Sequence, residues 1–233
     1  MSKRDVQKTK KSLSNKLAKT FVLRPIFKYL FPTEIKGLDN LPKETGALIC
    51  GNHVGHFDAA SIIQKTNRNI SFLGKIELEK SAFGRFVIKA FDIITVDRKN
   101  VGLEFAKKIT DKLENGELVG IFPEGTKRGT LKGKALKHGA INFAIQNNVP
   151  IIPVAFKPNL KLFQKNYINI GRPIYFNEML NGKELDNELA IKYIKILFDE
   201  IIKLLDDEDQ KIYLEALAKR NNNILNNKRN KNE

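Results

Sequence analysis

One cysteine, three histidines and no tryptophan stand in a chain of 233 residues. A lone Cys50 excludes an intramolecular disulfide, and no charged n-region leads into an apolar h-region with a small-residue cleavage site. Both absences fit a reducing, cytoplasmic setting. Long apolar runs are missing as well: no uninterrupted apolar run approaches the roughly 20 residues that cross a bilayer. Any membrane contact is therefore expected from one side.

Acidic charge is also short. The formal net charge is +15 and the pI about 9.7, which admits nucleic acid, an anionic membrane or a phosphorylated substrate as partner. Residues 1–28 carry nine basic residues against one acid, and residues 219–233 carry five against one. The basicity thus belongs mainly to the ends, whereas a nucleic-acid domain wears its charge along a folded face. No nucleic-acid partner is expected.

Leu13, Leu17 and Phe21 recur every fourth residue among Lys11, Lys16 and Lys19, the spacing of an amphipathic helix with a basic flank. Pro25 then opens a second short helix, RPIFKYLF, which Pro32 closes. Residues 1–32 read as an interfacial anchor, since each Lys or Arg near an anionic surface contributes about 1 kcal/mol to holding a helix there. Docking of these helices on the core, with solvated lysines, is the plainer alternative.

From Ile35 onward short β-rich runs alternate with helical patterns: ALICGN and DAASIIQKTN; ISFLG and ELEKSAFGRFVIKAF; IITVDR and GLEFAKKITDKLEN; LVGIF and GAINFAIQNN. IIPVAF and YINIGRPI follow, before a long helix through ELAIKYIKILFDEIIKLL. The pattern predicts one α/β domain over 33–217, with a mostly parallel or mixed sheet flanked by helices. In the last helix Leu185, Leu189, Ile194, Phe198, Ile201 and Leu205 are spaced to face a core. Residues 218–233, polar and Asn-rich, read as a disordered basic tail.

The stretch ICGNHVGHFDAAS admits three chemistries. A Cys50–His53 nucleophilic pair fails on strand parity, because an odd separation sends the side chains to opposite faces. HxxHxD suggests a metal, but a site needs three or more ligands, the spacing misses HExxH, and the remaining His138 follows a lysine-rich loop. In the third reading His53 ends the strand, and Asp58, in the first turn of the next helix, folds back onto its imidazole. That bond fixes the tautomer and leaves the other ring nitrogen to accept a hydroxyl proton. The attacking hydroxyl can then belong to the substrate.

VGIFPEGTKRGTLKGKALKHG puts a Pro-Glu-Gly turn at a strand end and loads the loop with cations. GIFPEGTK is not a Walker A loop, because Thr126 precedes Lys127 and Pro123 has no N–H for a phosphate cradle. A turn at Gly125 with free backbone N–H groups, beside Lys127 and Arg128, remains a suitable receptor for a phosphate monoester. Lys75 and Arg98 also stand at the ends of apolar runs, where a surface charge is the commoner explanation.

NHVGHFD, GKIEL, FDIITVDR, FPEGTK and VPIIPV, in that order, resemble the motif series of the 1-acylglycerol-3-phosphate acyltransferase (PlsC-like glycerophospholipid acyltransferase) family. The resemblance runs from about Ile35, through GLDNLPKETGALICGNH, to about Pro173. It implies transfer of a fatty acyl group from acyl-CoA or acyl carrier protein to the 2-hydroxyl of lysophosphatidate, giving phosphatidate, with no metal and no cofactor beyond the acyl thioester. His53 is then the general base and Asp58 its orienter. Glu124, Gly125, Thr126 and Lys127 map onto the block that holds the acceptor's phosphate, with Arg128 a further cation there. Arg98 and Lys75 map onto acceptor contacts.

Two departures bear on the substrate. Gly55 stands where the family often has Ser, and Lys127 where it has Arg, which keeps the charge but loses the bidentate fork. The resemblance fits the reading from the basic N-terminal segment and the lone cysteine, a peripheral protein on the cytoplasmic side of the membrane. An acyltransferase for another lysophospholipid head group, and a non-catalytic basic membrane-binding protein, are the alternatives.

Overall fold

The computed structural model describes residues 24–229 apart from 31, 56, 64, 98–101 and 158–162. The predicted helix through Leu13, Leu17 and Phe21, the cation Arg98, His56 and residues 230–233 lie outside the described residues. The second predicted N-terminal helix is present as α1 (Arg24–Leu30), with Pro25 in its first turn, where a missing N–H costs nothing. Its Tyr29 meets the Phe163 ring edge to face at 5.7 Å.

Among the described residues seven strands form one sheet: β1 (Thr33–Lys36), β2 (Ala47–Gly51), β3 (Ile70–Lys75), β4 (Ile94–Val96), β5 (Leu118–Ile121), β6 (Ile151–Phe156) and β7 (Asn166–Ile170). Their spatial order is β1-β7-β6-β2-β5-β3-β4. All neighbouring pairs are parallel except β6 with β7, so the sheet is mixed. Every residue of β2, β5 and β6 is buried, as strands covered on both faces require.

The helices are α2 (Asp58–Ile63), α3 (Ala82–Phe91), α4 (Leu103–Glu114), α5 (Gly139–Gln146), α6 (Phe176–Leu180), α7 (Asn187–Lys203) and α8 (Asp207–Arg229). Alternation along the strands sorts the core into two layers. Leu48, Cys50, Val119 and Ile121 pack with Ile109 and Leu113 of α4, Ile141 of α5 and Leu197, Phe198 and Ile201 of α7. Ile49, Leu118, Ile70, Phe72, Ile152 and Phe156 form the other layer with Ile62 and Ile63 of α2. Each fully buried Leu, Ile or Phe here contributes about 1.5–3 kcal/mol.

β6, β2, β5, β3 and β4 run the same way, so their carboxyl ends share one edge. The blocks that begin at Asn52 after β2, at Gly74 within β3, at Val96 at the end of β4 and at Phe122 after β5 thereby start from one rim. Register puts Ile49, Gly120 and Phe72 in one row across β2, β5 and β3.

The C-terminus departs from expectation. α8 continues to Arg229, into the stretch read as a disordered tail. Three acids, Asp207, Glu208 and Asp209, occupy its first turn, where they complement the helix dipole, and Asp206 accepts the Asp209 N–H at 3.0 Å. Its buried Tyr213, and Leu217 one turn later, join the core layer of Cys50 and Phe198. An apolar stripe this narrow is weak as a sequence signal but sufficient once the core waits beneath it.

Candidate active site

β2 ends at Gly51, and Asn52 turns the chain. Its side chain is fully buried and bonds β6 on both sides: Nδ2 donates to the Phe156 carbonyl at 2.8 Å, and Oδ1 accepts the Phe156 N–H at 2.7 Å. This pairing continues the sheet through a side chain where the ladder stops. The next residue, His53, therefore starts from a fixed backbone.

His53 is held from four directions. Its N–H donates to Glu124 Oε1 at 2.8 Å, and its carbonyl accepts from the Arg128 N–H at 2.5 Å. Its ring stacks on Phe122 at 4.2 Å between centroids and 13° between planes, and Phe122 in turn stacks on Phe72 at 5.3 Å. The Phe72 ring lies over Gly120, where any Cβ would fall 2.3 Å from it. Nδ1 lies 2.8 Å from Asp58 Oδ2.

Asp58 opens α2 with no exposed surface, and its carboxylate also accepts Val54 N–H at 2.8 Å and Gly55 N–H at 3.0 Å. An oxygen pair that only accepts leaves Nδ1 as the protonated nitrogen and Nε2 with the lone pair. The imidazole side chain is 22% exposed. A substrate hydroxyl can reach Nε2 while Asp58 stays sealed beneath. Cys50 points into the opposite core layer, and burial pushes its thiol pKa up, which suits an inert core residue.

Glu124 sits under the site rather than facing it. Oε1 takes the His53 N–H, Oε2 takes the Thr130 N–H at 2.7 Å, and the residue is 2% exposed. Burial pushes its pKa up, and the two N–H groups pull the other way. A buried carboxylate with both oxygens engaged braces the turn; as a direct contact it would repel a phosphate.

The turn itself differs from expectation in one respect. Gly125, at φ +65°, supplies the predicted bend, but its N–H bonds the Phe122 carbonyl, Arg128 N–H bonds His53, and Gly129 N–H bonds Thr126. Those three N–H groups are spent inside the chain. Lys127 is half-buried, and Arg128, itself at φ +52°, is exposed. Thr126 is half-buried beside them.

Lys75 ends β3, two strands from β2, about 10 Å away by strand spacing, and is exposed. His138 stands at the N-cap position of α5 without a side-chain capping bond. Reading along the chain missed Asn52, Phe122, Thr130 and Tyr213, whose hydroxyl accepts from Asn52 Nδ2 at 3.2 Å. Asn52 and Phe122 lie at the start of NHVGHFD and FPEGTK, beside residues whose charge is the stronger signal. Tyr213 is too far off in sequence for any local signal to pair it with them.

The acyltransferase family model matches residues 32–157. The chain is 27% identical over 180 residues to the 1-acyl-sn-glycerol-3-phosphate acyltransferase of Borreliella burgdorferi, covering 74% of this chain and 71% of that protein. It is 31% identical over 174 residues to the enzyme of the same description from Bacillus subtilis, covering 65% of this chain and 86% of that one. The fold is similar to the crystal structure of the 1-acyl-sn-glycerophosphate acyltransferase PlsC from Thermotoga maritima. The TM-score is 0.57 at 21% identity, covering 81% of this chain and 82% of that one. The match spans more than half of the chain and includes every block gathered at the sheet's carboxyl edge, and the chain belongs to the acyltransferase family.

Proposed function

We propose that this chain transfers a fatty acyl group from an acyl thioester, carried by CoA or acyl carrier protein, to the 2-hydroxyl of lysophosphatidate. The observation that carries the reading is the His53–Asp58 pair, with Nδ1 bonded at 2.8 Å and Nε2 left as acceptor on a partly exposed ring. His53 Nε2 takes the acceptor's hydroxyl proton as its oxygen attacks the thioester carbon. The tetrahedral intermediate collapses with cleavage of the C–S bond, and the imidazolium returns its proton to the leaving thiolate. No protein nucleophile is required, and the buried Cys50 offers none.

Lys127 and Arg128 hold the acceptor's phosphate, with Lys75 at the end of β3 as a further contact and Arg98, outside the described residues, assigned the same part by the family motif alone. The relatives' descriptions support lysophosphatidate as acceptor. Among the described residues no helix is long and apolar enough to cross a membrane. An acceptor with one acyl chain lives at a membrane surface, so the basic N-terminal segment holds the protein against the cytoplasmic face of an anionic bilayer.

Lys127, in place of a forked guanidinium, favours one second reading: an acceptor with a different head group. Purified protein assayed with acyl-CoA and with acyl carrier protein thioesters, against lysophosphatidate and zwitterionic or neutral lysolipids, separates the two. Preference for lysophosphatidate is expected; faster turnover of the others would overturn it.

A further inference from the structure

Tyr213 belongs to α8, far from the motif blocks in sequence, yet it has no exposed surface and is the largest such side chain among the described residues. Its ring meets Phe198 of α7 edge to face at 6.0 Å, which fixes its plane. Its hydroxyl lies beneath the site and completes the hydrogen bonds of Asn52: the amide's two donors go to Phe156 and Tyr213, and its oxygen to the Phe156 N–H. A buried phenol would usually be placed for its ring alone. Here the oxygen is placed as well.

The surroundings of that oxygen point the same way. Burial pushes the Tyr213 phenol pKa up, and the charges of Glu124 and Asp58 add to the effect, while Arg128 opposes it. The hydroxyl thus feels the carboxylate that orients His53 and the one that braces its backbone. α8 also packs on the turn Thr130–Lys132, whose first N–H closes the Glu124 brace. One helix therefore supports both strand-end turns of the site.

We propose that Tyr213 is a positioning residue for acyl transfer: its hydroxyl holds Asn52, and through Asn52 it sets the direction in which His53 presents Nε2. The inference rests on His53 being the base. It makes no contact with substrate itself. Its effect belongs in kcat, because a base a fraction of an ångström out of line binds the acceptor as before but takes its proton less readily.

The test is steady-state acyl transfer to lysophosphatidate, from both acyl-CoA and acyl carrier protein donors. It compares wild type, Tyr213→Phe, Asn52→Ala, the double variant and Leu214→Ala, an exposed neighbour on the same helix. All are assayed at a temperature where circular dichroism shows each fully folded. Tyr213→Phe keeps the ring and removes only the hydroxyl. It is expected to lower kcat about tenfold with KM unchanged, to add nothing to the Asn52→Ala loss, and to leave the melting midpoint within a few degrees of wild type. Leu214→Ala is expected to match wild type. Wild-type kcat in Tyr213→Phe, a loss that adds in full to that of Asn52→Ala, or a loss confined to KM would each overturn the inference while leaving the acyl-transfer reading intact. Failure of the wild-type chain to transfer an acyl group from either donor would overturn that reading and the inference with it.

Discussion

The turns after β2 and β5 lie on neighbouring strands of the same rim, yet they are built to different standards. After β2, Asp58 is sealed, two N–H groups and an imidazole converge on it, and Asn52 ties the turn's entry to β6. After β5, the backbone is braced as firmly by Glu124, but the charges sit on long side chains, half-buried at Lys127 and exposed at Arg128. The proton-transfer geometry is therefore complete before substrate arrives. On the proposed function, recognition of the anion is completed only when the substrate draws these side chains in, so the second turn can drift in specificity while the first stays fixed.

The contrast predicts where substitutions hurt. Asp58→Asn should have the largest effect: the amide keeps one oxygen and turns an NH2 toward N–H donors that the carboxylate accepts from, and it permits the wrong imidazole tautomer. Loss of about a hundredfold to ten-thousandfold in kcat, with KM for lysophosphatidate little changed, is expected in steady-state assays. Glu124→Gln comes next. Its NH2 must face either the His53 or the Thr130 N–H, donor against donor, at about 1–3 kcal/mol. A melting midpoint several degrees lower and a kcat about tenfold lower are expected, and a rise in KM alone would show Glu124 to be a substrate contact after all.

Lys127→Ala should act the other way round, raising KM for lysophosphatidate about tenfold at nearly constant kcat, with Lys127→Arg lowering it through the bidentate fork. The smallest effect lies away from the rim. Asp209 of α8 has a buried, unpartnered Oδ2; burial, with the Asp206 charge adding, pushes its pKa up to about 6. A carboxyl whose folded pKa is raised favours the fold when protonated, so that contribution is full below the ordinary aspartate range and is lost as pH rises through about 6. Asp209→Asn should flatten the fall in melting midpoint between pH 4 and about 7, with activity unchanged.

How legible each part was in the sequence follows from the same physics. The central strands were readable because IIPVAF and ALICG are apolar runs that suit no exposed element, and His53 with Asp58 was readable because residues five positions apart can fold back on one another. β1 was not, since TEIK becomes a strand only through its pairing with β7. Glu124 is a phosphate contact only by its place in the family block, which says nothing of the direction its side chain takes. Its inward direction depends on two N–H groups contributed from separate parts of the fold. α8 was hidden by its polarity, and Tyr213 by a separation of 161 residues from Asn52, a contact that only the folded chain makes.

The most direct measurement compares the rate of acyl transfer to lysophosphatidate by wild type and by His53→Ala, with lysophosphatidate binding measured separately. A general base at Nε2 predicts a fall of about a hundredfold to ten-thousandfold in rate with binding retained. Equal rates in the two proteins would contradict it.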